Sequence, residues 1–266
     1  MQFSFRFTSL LLAVLVLFAI SSASFVDAQT FSAATGSLAQ PLICPTATQL
    51  QNGTILIVGG NNTNGPTKTA QIYNPSTQTF APTQGSPNVA RGCGSTATLL
   101  NDGTVLIAGG SGDTTAELYI PPSGTFSLYT LPTASNPQGL KIRPMTAVRY
   151  NATATLLQNG TVLIAGGDTG NLAGLASAEI YNPATGTFTA TTETMSTQRT
   201  TQTATLLSNG SVLIAGGQGN RSGQAAWNTA ETYNPSTQAF TLVGNMTTTR
   251  CKHTATLLTD GTVLLA

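Results

Sequence analysis

One short pattern of apolar and polar residues recurs five times along the chain. Each copy reads Thr-Ala-Thr-Leu-Leu, or Thr-Ala-Thr-Gln-Leu in the first, and continues through Asn-Gly or Asp-Gly into a run rich in Val, Ile and Leu. Asn-Gly or Asp-Gly between two apolar runs predicts a β-hairpin with a type I′ turn, which needs positive φ at both central residues. We name the strands of this hairpin strand A and strand B. The turn glycines are Gly53, Gly103, Gly160, Gly210 and Gly261.

These glycines are 50, 57, 50 and 51 residues apart, and such a period indicates a repeat architecture. In four copies strand B ends in Gly-Gly, strand C ends in a tyrosine and strand D opens with a phenylalanine. Three tyrosines continue into an Asn-Pro turn, and a Met or Pro four residues before an Arg leads into the next copy. Each unit is therefore predicted to contain four short antiparallel strands. The tyrosines and phenylalanines are Tyr73, Tyr119, Tyr181 and Tyr233, and Phe80, Phe126, Phe188 and Phe240.

This order of motifs resembles the kelch repeat of β-propellers, and the resemblance covers residues 29–266. It implies an all-β fold, a β-propeller of four-stranded antiparallel blades with at least five blade units, the last of them incomplete. Two features depart from the pattern: phenylalanine replaces the usual tryptophan of the fourth strand, and the second unit reads Tyr119-Ile120-Pro121 at its turn. The variant with Thr-Ala-Thr-Leu-Leu and a secretion signal resembles secreted kelch proteins and the galactose oxidase central domain superfamily more than the intracellular kelch adaptors.

The two ends of the chain bear on closure of such a propeller. Residues 30–34 resemble an unpaired strand D, and the fifth hairpin stops at Ala266, where Gly-Gly is expected. A propeller hides its strand edges by circular closure. We therefore expect a domain truncated at its C-terminus and lacking at least one strand. A natural five-blade domain with a defective last blade is the alternative.

Residues 1–28 are predicted to be a secretory signal peptide. Eleven apolar residues at positions 10–20 follow Arg6, a run shorter than the roughly 20 residues that span a bilayer. Small residues allow cleavage after Ser24 or, as we favour, after Ala28. The sequence has no second hydrophobic segment, so we expect no membrane span after cleavage and a secreted product, extracellular or periplasmic.

The charge content limits the partners of such a fold. Only 7% of residues are charged, against about 25% in an ordinary soluble domain. Ten basic and nine acidic residues give a formal net charge of +1. This balance argues against the dense basic field of a nucleic-acid-binding protein and against a disordered, highly charged chain. We expect no nucleic-acid partner.

The resemblance to galactose oxidase raises one enzymatic alternative, a carbohydrate oxidase. Copper sites of that type use two histidines and two tyrosines, one of them cross-linked to a cysteine. The chain contains one histidine, His253, for which a hydrogen-bonding role in the lead-in to strand A is favoured over metal binding. The alternative therefore needs metal ligands outside this fragment. Within the chain we expect no catalytic residue, no metal and no cofactor.

A glutamate recurs two residues before the strand C tyrosine in three units. This recurrence indicates an architectural role. The spacing by whole units also argues against a catalytic pair, whose carboxyls lie roughly 5 to 9.5 Å apart. The glutamates are Glu117, Glu179 and Glu231, and Gln71 takes their place in the first unit.

The three cysteines all precede a strand A. Cys93 and Cys251 lie ten residues before their turn glycines, and Cys44 lies nine before Gly53. In an oxidising compartment an inter-blade disulfide is plausible, joining Cys44 to Cys93 or, if five blades close, to Cys251. Free buried thiols are an equally weighted alternative, since cysteine is often a small core residue.

The variable segments of the repeat define a candidate binding face. Strand alternation places the A–B and C–D turns on one rim, and the B–C loops and D–A segments on the other, which we name the loop face. Variable loops on a rigid scaffold commonly carry recognition. Nine basic residues and three acidic ones, Asp113, Asp168 and Glu193, fall on the loop face, an excess of six positive charges.

Four of the basic residues are repeat positions expected to bond neighbouring blades: Arg91, Arg149, Arg199 and Arg250. The candidate binding residues are Lys68, Lys141, Arg143, Arg221, Trp227, Lys252 and His253. An exposed tryptophan can stack on a sugar or anchor a protein, and a loop packed on its own blade is the competing interpretation. We expect a non-enzymatic binding or scaffold module whose loop face recognises a glycan or protein, with an anionic partner favoured by the basic residues.

Overall fold

The computed structural model describes residues 34–130, 139–171, 173–219 and 225–266. They belong to one compact unit, Ala34–Ala266, whose described regular structure is entirely β-strand. The all-β prediction is therefore confirmed for these residues. The predicted signal peptide, residues 1–28, lies outside them, as do residues 30–33 of the predicted unpaired strand D. Nothing in the described ranges forms a helix of the length and apolarity that crossing a bilayer requires.

Four antiparallel sheets of four strands each follow one another along the chain, and strands A to D pair in chain order. The first unit contains β1 (Thr46–Gln49), β2 (Ile55–Val58), the small B–C hairpin β3 (Asn61–Asn62) and β4 (Gly65–Pro66), β5 (Ala70–Asn74) and β6 (Thr79–Pro82). The second contains β7 (Ser95–Leu99), β8 (Val105–Gly109), β9 (Ala116–Ile120) and β10 (Thr125–Ser127).

The third unit contains β11 (Thr153–Leu156), β12 (Val162–Ala165), β13 (Ala178–Asn182) and β14 (Thr187–Ala190). The fourth contains β15 (Thr203–Leu206), β16 (Val212–Ala215), β17 (Ala230–Asn234) and β18 (Ala239–Val243). The fifth consists of the hairpin β19 (Ala255–Leu257) and β20 (Val263–Leu265). The predicted four-stranded antiparallel units are therefore confirmed for the first four copies.

The turn between strands A and B is not the predicted type I′ turn. In the first unit the Gly53 N–H donates to the Leu50 carbonyl, and the Leu50 N–H donates to the Thr54 carbonyl. Only Gly53 in this turn has a positive φ, 82°, as in a type I turn followed by a left-handed glycine. The Asn52 side-chain oxygen accepts the Thr54 N–H and hydroxyl, which favours this local Asx turn. The residues that accept the equivalent N–H in the other units are Asp102, Asn159, Asn209 and Asp260.

The hydrophobic core lies between successive sheets. Leu50 and Leu56 of the first sheet pack against Val105, Ile107 and Tyr119 of the second, and equivalent residues pack at the next two junctions. The A strands contact one another in order: β1 with β7, β7 with β11, β11 with β15, and β15 with β19. This order places the starts of the A strands, and the loops beside them, next to each other.

Aromatic pairs join strand C to strand D in all four sheets. Tyr73 lies opposite Phe80 in the strand register, and their ring centroids are 4.8 Å apart. The equivalent pairs are Tyr119–Phe126 at 5.1 Å, Tyr181–Phe188 at 4.8 Å and Tyr233–Phe240 at 4.9 Å. Aromatic pairs at this distance contribute stability beyond the area that they bury. The phenylalanine of strand D is therefore packed against the tyrosine of strand C in each of the four sheets.

Candidate functional site

A buried arginine organises the loop face of the second, third and fourth units. Arg149 Nε lies 2.6 Å from Glu179 Oε1, and its Nη1 donates to the carbonyls of Gly166 and Ser177. The second oxygen of Glu179 accepts the Thr146 N–H. The guanidinium thereby ties the end of strand B to strand C within one sheet. The equivalent pairs, Arg91–Glu117 and Arg199–Glu231, each have an N···O distance of 3.0 Å.

The same arginine position also joins neighbouring sheets through its main chain. The N–H of Gly110, at the end of the second strand B, donates to the Arg149 carbonyl at 3.0 Å. Gly167 and Gly217 donate in the same way to Arg199 and Arg250. These glycines have φ between 67° and 88°, a conformation that glycine adopts without a Cβ penalty. The expected bonds to neighbouring units are therefore made by the main-chain carbonyls of Arg149, Arg199 and Arg250. The guanidinium groups of Arg91, Arg149 and Arg199 instead bond within one sheet.

The first unit lacks both charges of this arrangement. Gln71 is buried at the glutamate position and its Oε1 accepts the Ala39 N–H at 3.1 Å, and Leu42 stands at the arginine position, three residues after Ala39. A single remaining charge would be buried without a partner, which is strongly unfavourable. The two substitutions are therefore physically linked.

The buried pairs reduce the positive charge that the loop face presents. The sequence count did not include the glutamates that bond the arginines: Glu117, Glu179 and Glu231. Including them lowers the excess from six positive charges to three. The basic face expected from the sequence is therefore weaker, and the exposed cations of the described residues are Lys68, Lys141, Arg143 and Lys252.

Two loop-face carboxylates are held by hydrogen bonds. Burial acts to raise the pKa of Asp113, but hydrogen bonds from Thr115 and Ser111 and the charge of Arg91 together lower it. Asp168 is fully buried, and its Oδ2 accepts the Asn151 amide and the Thr200 hydroxyl. These hydrogen bonds indicate that both carboxylates stabilise the loops in which they lie.

A residue with left-handed backbone conformation precedes strand A in every unit. Their φ values lie between 53° and 82°, and the residues are Cys44, Gly94, Asn151, Thr201 and Lys252. The Lys252 N–H donates to the Thr201 carbonyl, Thr201 donates to Asn151, and Asn151 donates to Gly94. We name this series of bonds the entrance ladder. It joins the second to fifth units at the loop face.

A disulfide joins the first unit to the second at the same place. Cys44 is bonded to Cys93, with their Cα atoms 4.9 Å apart, whereas Cys251 is a half-buried free thiol. Of the alternatives that the sequence left open, the structure therefore contains the Cys44–Cys93 pairing. The disulfide is compatible with an oxidising compartment.

Three predicted site residues belong to the fourth B–C loop and to the segment that leads into the fifth hairpin: Trp227, Lys252 and His253. The Trp227 N–H donates to the Gly217 carbonyl, and its own carbonyl accepts the Arg250 N–H. Its indole Nε1 donates to the Gln198 carbonyl at 3.1 Å, and the residue is half-buried. Lys252 is exposed on the entrance ladder. Gln198 was missed by sequence analysis because it contributes only a main-chain carbonyl, which residue identity does not reveal.

His253 is part of the contact between the last two A strands. Its Nε2 lies 3.0 Å from the Thr203 hydroxyl, and its Nδ1 is buried with no hydrogen-bond partner. Burial, and then the charge of Arg250, lower the pKa of His253. The imidazole is therefore neutral near pH 7, and its geometry is that of a packing residue. In the described ranges, no three His, Cys, Asp or Glu side chains cluster as a metal site.

The remaining candidates lie apart from this group. Lys141 and Arg143 lie beside the C–D turn of the third sheet, where the Arg143 N–H donates to the Gly186 carbonyl at 2.8 Å. Lys68 lines a separate groove beside the first B–C hairpin, together with Gln40 and Asn62. Arg221 lies outside the described residues. The seven predicted binding residues therefore do not form one site.

Comparison with known proteins gives no relative from which a site could be transferred: no protein-family model and no curated protein matches the chain.

Proposed function

We propose that the chain is a kelch-type β-propeller module, exported from the cell, that binds a glycan or protein partner through its loop face. The repeated sheets, the ordered contacts of their A strands and the regular arginine and tyrosine positions support the propeller. The Cys44–Cys93 disulfide is compatible with export. Binding is favoured over catalysis because the recurrent charged groups at this face bond one another and are buried.

The observation that carries the proposal is the position of Trp227. Its main chain is fixed between Gly217 and Arg250, and the Gln198 carbonyl holds the indole N–H. A fixed, half-buried indole loses little conformational entropy on binding and offers a flat apolar surface. Lys252, two residues after the Arg250 that bonds the Trp227 main chain, is exposed. Its positive charge favours an acidic glycan over a neutral one.

The test is binding to polygalacturonate and to neutral dextran, each at low and high salt. We expect polygalacturonate to bind more tightly, and to lose affinity as salt screens the exposed lysine. Trp227→Ala should weaken binding about tenfold or more. Trp227→Phe keeps an aromatic ring and should therefore retain part of the wild-type affinity. Tyr129→Ala removes an exposed aromatic residue in a different unit and serves as the control.

Arg221→Ala tests the basic residue that the sequence predicts in the same B–C loop as Trp227, and it should also weaken binding to polygalacturonate. If the protein binds neither polygalacturonate nor dextran, this face does not have a glycan-binding function. The same conclusion follows if Trp227→Ala and Arg221→Ala bind as tightly as the wild type.

A further inference from the structure

Residues 128–130 and 140–142 of the enlarged D–A segment pair with each other and form a short edge beyond the end of β10. The Thr130 N–H donates to the Leu140 carbonyl, and the Ile142 N–H donates to the Leu128 carbonyl. At the end of this edge, the Arg143 N–H binds the C–D turn of the third sheet. The first unit makes the corresponding contact directly, from the Gly85 N–H to the Gly124 carbonyl. The second junction is therefore built differently from the first.

This edge lines a cavity of about 680 Å³ between the outer parts of the second and third sheets. Ligand pockets for small molecules are commonly about 300 to 1,000 Å³, mostly apolar, with a few polar groups that orient the ligand. The apolar residues that line the cavity are Ala116, Leu128, Leu140, Ile142 and Pro144. Leu140 remains 40% exposed there, so apolar surface is available to a ligand.

Both charged residues that line the cavity are positively charged. Lys141 and Arg143 line it and are exposed, and its other polar lining residues are threonines. The neighbouring carboxylates are engaged elsewhere: Asp113 accepts the Thr115 hydroxyl, and Glu179 is bonded to Arg149. An anionic group on an otherwise apolar ligand would therefore meet two cations without a competing carboxylate in the lining.

Other cavities of the described residues differ in size and chemistry. One of about 330 Å³ lies between the A–B turns of the third and fourth units, and amide side chains such as Gln158, Asn159 and Asn209 line it. The groove beside Lys68, about 500 Å³, is lined by Gln40, Asn62 and threonines. The combination of apolar walls and two cations distinguishes the cavity at the second junction.

We propose that this cavity binds a small amphiphilic carboxylate, with its apolar chain against Leu128, Leu140 and Ile142 and its carboxylate near Lys141 and Arg143. Burial of the chain supplies most of the affinity, because apolar area removed from water is favourable. The two cations select the sign of the head group. The site is separate from the Trp227 region and does not depend on glycan binding there.

The experiment is calorimetric titration of the full chain with decanoate below its micelle concentration, and with decyltrimethylammonium as the oppositely charged probe. We expect one saturable site for decanoate and binding at least about tenfold weaker for the cation. Methyl resonances of Leu128 and Leu140 should shift on titration. The double variant Lys141→Glu/Arg143→Glu should lower decanoate affinity about tenfold or more, and Leu140→Asn should also lower it.

Lys68→Glu is the matched control, since it reverses the charge of an exposed side chain in a polar groove. It should leave the decanoate affinity within about twofold of the wild-type value. Polygalacturonate binding should persist in the cavity variants, which separates this proposal from the proposed glycan function. Lack of saturable binding, equal affinity for both probes, or decanoate binding unaffected by the variants would overturn it. So would a dimer that Leu140→Asn dissociates, because a second copy would then cover the cavity.

Discussion

Cys44 and Cys93 join the first two sheets covalently where the later sheets are joined by the entrance ladder. Cys44 has the left-handed conformation of the ladder residues, with φ of 53°. In the described part of the chain, no backbone hydrogen bond connects Cys44 to Gly94. Beside the disulfide, Ile43 exchanges two backbone hydrogen bonds with Asn61 of the small B–C hairpin, at 2.8 and 2.9 Å. The disulfide therefore also fixes the first loop of the loop face.

Reduction of this disulfide should destabilise the first unit. The bond closes a loop with a sequence separation of 49 residues, for which loop-closure entropy gives a stabilisation of about 4 kcal/mol. We expect a lower denaturant midpoint in the reduced protein and faster amide exchange at Ile43 and Asn61. Cys251→Ser should respond to reduction as the wild type does, because Cys251 is a free thiol. Equal midpoints before and after complete reduction would show that the disulfide does not stabilise this junction.

A second disulfide should form when Thr201 is replaced by cysteine. Thr201 is the ladder residue equivalent to Cys44, with φ of 58°, and Cys251 is equivalent to Cys93. The Lys252 N–H already bonds the Thr201 carbonyl at 2.9 Å, so the two sites are adjacent. Oxidised Thr201→Cys should contain no titratable thiol. Asn151→Cys, one unit away, should retain two, and retention of two thiols by Thr201→Cys would contradict the equivalence.

Removal of one charge from a buried ion pair should lower the free energy of unfolding more than removal of both charges. Glu179→Gln leaves Arg149 buried without its carboxylate, which we expect to cost about 3 kcal/mol in the free energy of unfolding. The double variant Arg149→Leu/Glu179→Gln copies Leu42 and Gln71 of the first unit, so it should lose less stability than Glu179→Gln. Chemical denaturation of the wild type and the two variants gives the comparison. A double variant less stable than Glu179→Gln would rule out this account of the first unit.

The contact at His253 should weaken at acidic pH. Because burial and Arg250 lower its pKa in the folded protein, the unfolded chain binds the proton more readily. The contribution to stability is therefore complete above the ordinary histidine pKa of about 6.5 and is lost as the pH falls toward the lower folded value. His253→Gln, which copies Gln202 of the preceding unit, should lose less stability than the wild type between about pH 7 and pH 5.

Thermal unfolding at both pH values and an NMR titration of the imidazole measure this difference. Thr203 and Arg250 are the polar groups that act on His253, and Thr203→Val offers a control that removes the hydrogen bond without removing the titrating group. An imidazole that titrates at or above its ordinary pKa in the folded protein would contradict the prediction.

The repeat made the strand order and much of the core predictable from sequence. Leu50, Val105 and Tyr119 stand at repeat positions, and they cover the facing surfaces of the first two sheets, where apolar residues are removed from water. The predicted turn type was wrong, since Asn-Gly also suits a type I turn closed by the Asn52 side chain and a left-handed Gly53. Local sequence alone does not choose between these two turns.

The candidate site depended much more on tertiary structure. The sequence identified Arg149 and Glu179 as recurrent positions, but their pairing joins residues 30 positions apart. The glutamate neutralises an arginine that the sequence analysis counted as a positive charge of the loop face. Lys141 and Trp227 were both assigned to one face, yet the D–A segment carries Lys141 to a different junction. The sequence by itself determined the repeating unit, because its motifs recur at intervals of 50 to 57 residues, and it determined the buried B strands, because each is a short continuous apolar run. Only the tertiary structure decided which charges remain exposed and which loops meet, because contacts between units depend on how the sheets pack.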